Sequence, residues 1–559
     1  MKKFLKYCLF ILPASALLVI LVISCDKEMG LKDTPTKTYS DASIMTGPGS
    51  EGIMEFAPET PNPYTIENMQ AALIELHNQN SLDCDVSLFN IRVTHTYIRF
   101  EPQDSIQFGM LIQDSSLVLF DYPMDRRIIK GGTYYRNTSL PEGQLDYQWT
   151  CVPVGKLLPA NVPHVVLSEL YLPEEDPELV QYYDTEFDDC ITLLIDQALK
   201  RTGNYDTLNY TGAMTNGGVI VTLKKTSKWT PSGRIRLKDD NININIGLRG
   251  VKVRANRWFE TRESLTDVFG NFNILHEFRY PVNYSIKWER HDYNIRSGRH
   301  GQAYFNGPKQ TGAWNLDIVS GLSWFYGQVH RGAFDYYYNN PTGLRTPPTN
   351  GFLGSRIAIG VIDETSRAHY DKRQRNWFGP EIFMYTSGTD FEGNTYTPSS
   401  FWLYKTTIHE LAHASHFNIS HPDYRNTDAM VKESWAIGVA WSFYRLKYPD
   451  LVTDEAASYQ EIRLQNCPDG IDVVNWGERK YTPLVIDLID NYNQRFRVDP
   501  GNLDYPIDNV TGYTIRNIED ALVNKRTMND WRDALKINKP TGVTNAQIDE
   551  LFLNYTPLQ

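Results

Sequence analysis

The chain has 559 residues, 41% hydrophobic and 22% charged, with a formal net charge of −12. That length exceeds what one hydrophobic core organises, so two or three domains are expected. The charge is spread without a long run of either sign and no stripe of Lys and Arg is visible, which argues against nucleic-acid binding and mainly for solubility.

The N-terminus reads Met-Lys-Lys, then an apolar run of 16 residues from Cys8 to Ile23 that contains Pro13, ending in Val22-Ile23-Ser24-Cys25. A basic start, an apolar stretch and small residues before a cysteine are the layout of a secretory signal. A spanning helix needs about 20 apolar residues, so a permanent transmembrane anchor is the weaker reading. The tetrad resembles the bacterial lipoprotein box, which implies that residues 1–25 are a signal ending at an acylated Cys25. By that resemblance the chain is a lipid-anchored protein of the cell envelope, at the outer membrane or cell surface, since several acyl chains hold firmly where one binds marginally.

Of the remaining cysteines, Cys84, Cys151, Cys190 and Cys467, none has C-x-x-C spacing, which argues against a cysteine zinc site. Export permits disulfides in any of three full pairings; buried free thiols are the alternative.

Residues 26–65, rich in Gly, Pro, Ser, Thr and charge, read as a tether. From 66 to 225 a helix over Ile66–Leu76 and alternating strands over Phe89–Phe100 and Ser116–Phe120 predict a mixed, β-rich module. Within 226–300, strands over Gly233–Leu237, Gly250–Ala255 and Tyr284–Lys287, with Thr266-Asp267-Val268-Phe269-Gly270-Asn271-Phe272, resemble the transthyretin-like sandwich found beside carboxypeptidases. Such a sandwich implies a spacer or brace and no chemistry. From 301 to 559, helices are expected over Asp317–Tyr338, Ser400–Phe417, Thr427–Lys447 and Thr482–Arg495, with strands at Arg356–Ile362 and Glu381–Tyr385. The whole reads as a multidomain α+β chain: tether, β-rich module, small sandwich and a helix-rich C-terminal domain. The 34 Tyr and 12 Trp suit cores and β surfaces, with a sugar or peptide groove as the alternative.

The segment Thr406-Thr407-Ile408-His409-Glu410-Leu411-Ala412-His413 carries the chemistry. Ser399 or Ser400 is placed to cap its helix. His409 and His413, four apart, project from one helix face and can close on a single zinc ion, with Glu410 beside a metal-bound water. The bland reading is a helix that happens to hold two histidines. A catalytic zinc needs a third protein ligand. Glu433 lies twenty residues after His413 on the next helix, on a mostly apolar face with Met430, Ile437, Trp441 and Tyr444, where an unpartnered carboxylate is costly.

This pattern resembles the gluzincins, the thermolysin-like branch of zincins. The resemblance implies a zincin-like catalytic domain, a Zn2+ cofactor held by His409, His413 and Glu433, and peptide hydrolysis with Glu410 as proton acceptor and donor. One departure stands out: the thermolysin group has an aspartate four residues after the ligand glutamate, where this chain has Ile437, so the partner of a zinc histidine must come from elsewhere. The metzincin pattern fails at His416 and Ile419. His416 is then a packing or surface histidine, or one that approaches the metal or a substrate; His421 reads as a loop residue. No histidine follows His421 to stabilise an oxyanion, so Tyr481 and Tyr513 are candidate donors, with core tyrosines as the default. Glu381–Tyr385 is either an edge strand for a peptide substrate or an internal one.

Three readings follow. The first is a zinc peptidase cleaving peptides or glycoproteins outside the cytoplasm. The second is a non-catalytic surface-binding lipoprotein with a structural or relict zinc site. The third is a hydrolase of non-peptide amides in cell-wall material, with the same residues.

Overall fold

A computed structural model describes residues 45–46, 52–78, 89–141, 144–179, 185–205, 228–299, 301–347, 356–366, 368–370, 381–389, 393–420, 423–451, 482–493, 495 and 506–555. Residues 1–25, expected as a signal ending at Cys25, and Cys84, Cys467, His421 and Tyr481, lie outside these residues. The chain is α+β, and residues 44–559 form one compact unit.

The N-terminal module pairs α1 (Ile66–Asn78) with α3 (Thr185–Arg201) beside a three-stranded sheet, in which β1 (His95–Phe100) lies between β2 (Gln148–Pro153) and β3 (His164–Leu170). A short helix, α2 (Ser105–Gln113), follows β1. The end of the expected tether belongs to this module: Met54 and Tyr64 are buried, and Glu55–Phe56 pairs with Ile128–Lys130. Cys190 on α3 is disulfide-bonded and Cys151 on β2 is free.

The sandwich extends past residue 300. One sheet contains β4 (Ser232–Asp239), β5 (Ile244–Gly247), β8 (Asn271–Asn273) and β13 (Trp314–Ile318). The other runs in the order β7 (Glu260–Leu265), β6 (Lys252–Arg257), β9 (Val282–Lys287), β12 (Tyr304–Gln310). Alternation along β6 puts Val253 and Ala255 in the core and Lys252 and Arg254 on the opposite face. That second face is buried too, beneath the N-terminal module. There Lys287 meets Asp121 at 3.0 Å, and Arg254 and Lys287 both donate to the carbonyl of Leu119.

A third sheet runs β11 (Gly301–Gln302), β10 (Tyr293–Ser297), β14 (Ile357–Thr365), β16 (Ile382–Thr389), β15 (His369–Tyr370), with β17 (Thr395–Tyr396) against the end of β16. The first six residues of β14 are all buried, as suits a parallel strand covered on both faces. The strand after it, β16, is internal, flanked by β14 and β15, so it offers no free edge along Ile382–Phe383.

The long helices are α4 (Gly321–Tyr338), α5 (Ser400–Ile419) and α6 (Ala429–Lys447), followed by α7 (Leu484–Ile489), α8 (Ile515–Leu522), α9 (Met528–Ile537) and α10 (Asn545–Tyr555). One hydrophobic core runs from Ile235 in the sandwich to Tyr555 in α10. Close helix approach needs small residues here. A Cβ at Gly332 of α4 would lie 2.8 Å from Thr407 Cβ of α5, and one at Gly438 of α6 would lie 2.1 Å from Val485 of α7.

Candidate metal centre

The helix that carries the paired histidines is held at its start by both its own sequence and the sandwich. Ser399 is its N-cap, with its side chain accepting from Trp402 N. The loop after β4 supplies two more acceptors: Asp240 Oδ1 takes Ser400 N–H at 2.8 Å, and Asn241 Oδ1 takes Phe401 N–H at 2.7 Å. Two of the otherwise orphaned N–H groups are thereby satisfied, and a carboxylate stands at the positive end of the helix dipole. Ser400, the other expected cap, instead turns its Oγ to accept from Asp240 N–H and Gln328 Nε2.

The helix is anchored lengthwise by Ile408, Leu411 and Ala412, each fully buried. At about 1.5–3 kcal/mol for a large apolar side chain, the first two fix the rotation of α5 and with it the direction of His409 and His413. On α6, Trp435, Ala436 and Val439 are likewise buried at 0% exposure, which fixes the rotation of that helix and brings the half-buried Glu433 against α5.

The three expected ligands come together. His409 Nε2 lies 3.1 Å from His413 Nε2, and Glu433 Oε2 lies 3.3 Å from the first and 3.2 Å from the second. This is a nearly equilateral triangle of donor atoms. Ligands at about 2.0–2.1 Å from one tetrahedral ion stand about 3.3–3.4 Å apart, so the triangle fits a single ion with its fourth position open. Two imidazoles and a carboxylate are also a donor set suited to zinc. The side chains of His409, His413 and Glu433 are 17%, 9% and 22% exposed, leaving one side of the triangle accessible. Burial pushes the Glu433 carboxyl up, but the two imidazoles beside it outweigh burial and hold it well below the usual carboxylate range.

Glu410 follows His409 on α5 and is 5% exposed. The partner missing at Ile437, which is itself in the apolar core, is supplied from the α5–α6 connection: Tyr424 Oη lies 3.4 Å from His413 Nδ1. His416 packs edge-on against the Tyr424 ring, centroids 4.9 Å apart, and is fully buried. It is therefore a packing residue, outside the donor triangle. Burial, with the neighbouring His413 and Lys432 charges, holds its pKa well below the ordinary imidazole value. Tyr513, expected as a candidate oxyanion donor, is buried and gives its only hydroxyl proton to the Leu535 carbonyl at 2.9 Å, which is the core role.

Sequence reasoning missed Tyr424 and the Asp240–Asn241 cap. The first had a partial signal, because Ile437 in place of an aspartate meant that the partner of one of the two histidines had to come from elsewhere, without saying which. The second had none, because the cap is 160 residues away in sequence. The described residues also bring Glu175, Glu260 and His276 within reach of one another, but Arg262 already occupies Glu175 and His276 already pairs with Glu260.

No family model matches the chain, and no curated protein matches it.

Proposed function

We propose that the chain is a zinc-dependent hydrolase of the gluzincin type, a peptidase acting on peptides or glycoproteins outside the cytoplasm and held on a membrane by a lipid on Cys25. The observation that carries this reading is the donor triangle of His409, His413 and Glu433 with Glu410 on the adjoining position of the same helix. A structural zinc site would close all four positions with protein ligands, whereas three donors and an open side suit catalysis.

Zinc at this triad would supply Lewis-acid activation of water and of the scissile carbonyl. Glu410 accepts the proton of the attacking water and returns it to the departing amine. Tyr424 holds the His413 ring so that Nε2 faces the triangle. With Tyr513 committed to Leu535, Tyr481 is the tyrosine to test as a donor to the developing oxyanion.

The test is a peptide-library cleavage assay on wild type and Glu410→Gln, each checked for zinc content. Cleavage that a chelator stops, and that Glu410→Gln lowers by about a hundred- to ten-thousand-fold while keeping its zinc, supports the proposal. Cleavage by Glu410→Gln at the wild-type rate would refute the role of that carboxylate. No cleavage of any peptide by zinc-loaded wild type would favour a non-catalytic binding protein.

A further inference from the structure

The four-stranded sheet of the sandwich turns a polar face toward the N-terminal module. At one end that face is sealed by the contacts of Arg254 and Lys287 with residues 119–121. Beyond the seal, the same face becomes the floor of a cavity of about 750 Å³, within the usual size of small-ligand sites. No residue of the metal centre lines it.

We propose that this cavity binds an oligosaccharide. Its floor is a patch of hydrogen-bonding groups placed by strand register, neutral except for one ammonium: Asn283 of β9 sits opposite Asn256 of β6 on one side and Lys309 of β12 on the other, and Ser285 of β9 opposite Asn306 of β12. Side chains in such cross-strand pairs stand about 5 Å apart on one face, a spacing that addresses several hydroxyls of one sugar ring. The three asparagines spend amide protons internally, on the carbonyls of Trp258, Asn256 and Gly132 respectively for Asn256, Asn283 and Asn306. Their Oδ1 atoms accept no hydrogen bond among the described residues, which leaves a row of neutral acceptors suited to a hydroxyl-rich ligand.

The walls combine aromatic rings with charged groups, among them Asp125, Asp196 and Arg257, whose guanidinium covers one face of the Tyr280 ring at 3.5 Å. Tyr122, Tyr280 and Trp258 line the cavity, and such rings offer an apolar face to the C–H side of a pyranose while their edges stay polar. Trp258 is held at φ 51°, in the left-handed region that a bulky residue rarely adopts. The two-residue hairpin loop between β6 and β7, closed by the Arg257–Glu260 pair, imposes that conformation, and the Asn256 amide on the Trp258 carbonyl fixes it further, so the indole is placed at the cavity by a rigid turn. An extended peptide fits less well. The floor is a sheet face rather than an edge, so it presents side chains and no row of unpaired backbone groups for strand addition.

The full chain is to be applied to an array of di- to hexasaccharides, with a peptide array in parallel, and the best-bound glycan titrated by calorimetry. Two variants accompany it: Asn283→Ala, at an exposed floor position, and Trp258→Gly, which relieves the left-handed backbone. The proposal predicts saturable binding of one saccharide class, weakened at least tenfold in both variants, with the melting temperature of Asn283→Ala unchanged. Capture of peptides alone, no retained glycan, or wild-type affinity in the Asn283→Ala protein would each overturn it.

Discussion

The Tyr424 hydroxyl stands 3.4 Å from Nδ1 of His413, while Nε2 of the same ring faces His409 and Glu433. One imidazole is thus held from both sides, by a phenol behind and by the donor triangle in front. Groups that orient a metal ligand from behind typically change metal affinity by about 10–100-fold when removed. Tyr424→Phe keeps the ring packed on His416 and removes only the oxygen. Its zinc affinity, measured by competition with a chromogenic chelator, is expected to fall within that range, and wild-type affinity would show that the phenol does not orient His413.

The loop after β4 has a measurable effect on α5. Asp240→Ala deletes the acceptor for Ser400 N–H, and loss of a capping side chain costs about 1 kcal/mol. A urea midpoint lowered accordingly, with the m-value unchanged, is the expected outcome. No change would mean that Ser399 and Asn241 suffice to hold the helix start.

A pH dependence follows from Asp508, which is buried with Oδ2 unpartnered among the described residues. Burial, and then the nearby Asp487 charge, push its carboxyl well above the ordinary range. In the unfolded chain the group ionises near pH 4, so between that value and its raised folded pKa the native state holds a proton that the unfolded state has lost. Stability from this group is complete below about pH 4 and declines as pH rises through neutrality. Asp508→Asn removes the titration. Urea midpoints at pH 5 and pH 8 are expected to fall less with pH in the variant than in wild type, and parallel slopes would contradict the assignment.

The legible parts of the sequence were those where a local pattern and the tertiary demand agree. Ile408, Leu411 and Ala412 mark the buried side of α5, and the helices found at Ser400–Ile419 and Ala429–Lys447 lie within two residues of those expected. The approach of His409, His413 and Glu433 to one another was legible for the same reason. Failures occur where side chains divert the backbone. Ser116–Phe120 alternates like a strand, yet Asp114 Oδ1 captures Ser116 N–H and the Leu119 carbonyl is taken by Arg254 and Lys287, so only Phe120 bridges to a neighbour. The helix expected over Thr482–Arg495 ends at Ile489, where Asp490 Oδ1 accepts from Tyr492 N–H. Asp317 was expected to start a helix; it lies in β13 instead, bonded to Arg236 of β4 at 2.6 Å. The Arg254, Lys287 and Arg236 contacts come from partners distant in sequence, which no local pattern encodes, whereas the turns at Asp114 and Asp490 are local side-chain captures that the alternating and helical patterns masked.

The proposed function stands on His409, His413 and Glu433 holding one metal ion. Its most direct test is zinc content by mass spectrometry on wild type, His413→Ala and Glu433→Ala, each offered zinc and then dialysed. About one zinc per wild-type chain is expected, with loss of that zinc in both variants and circular dichroism retained. Wild type without zinc, or a Glu433→Ala protein that keeps its zinc, would contradict it.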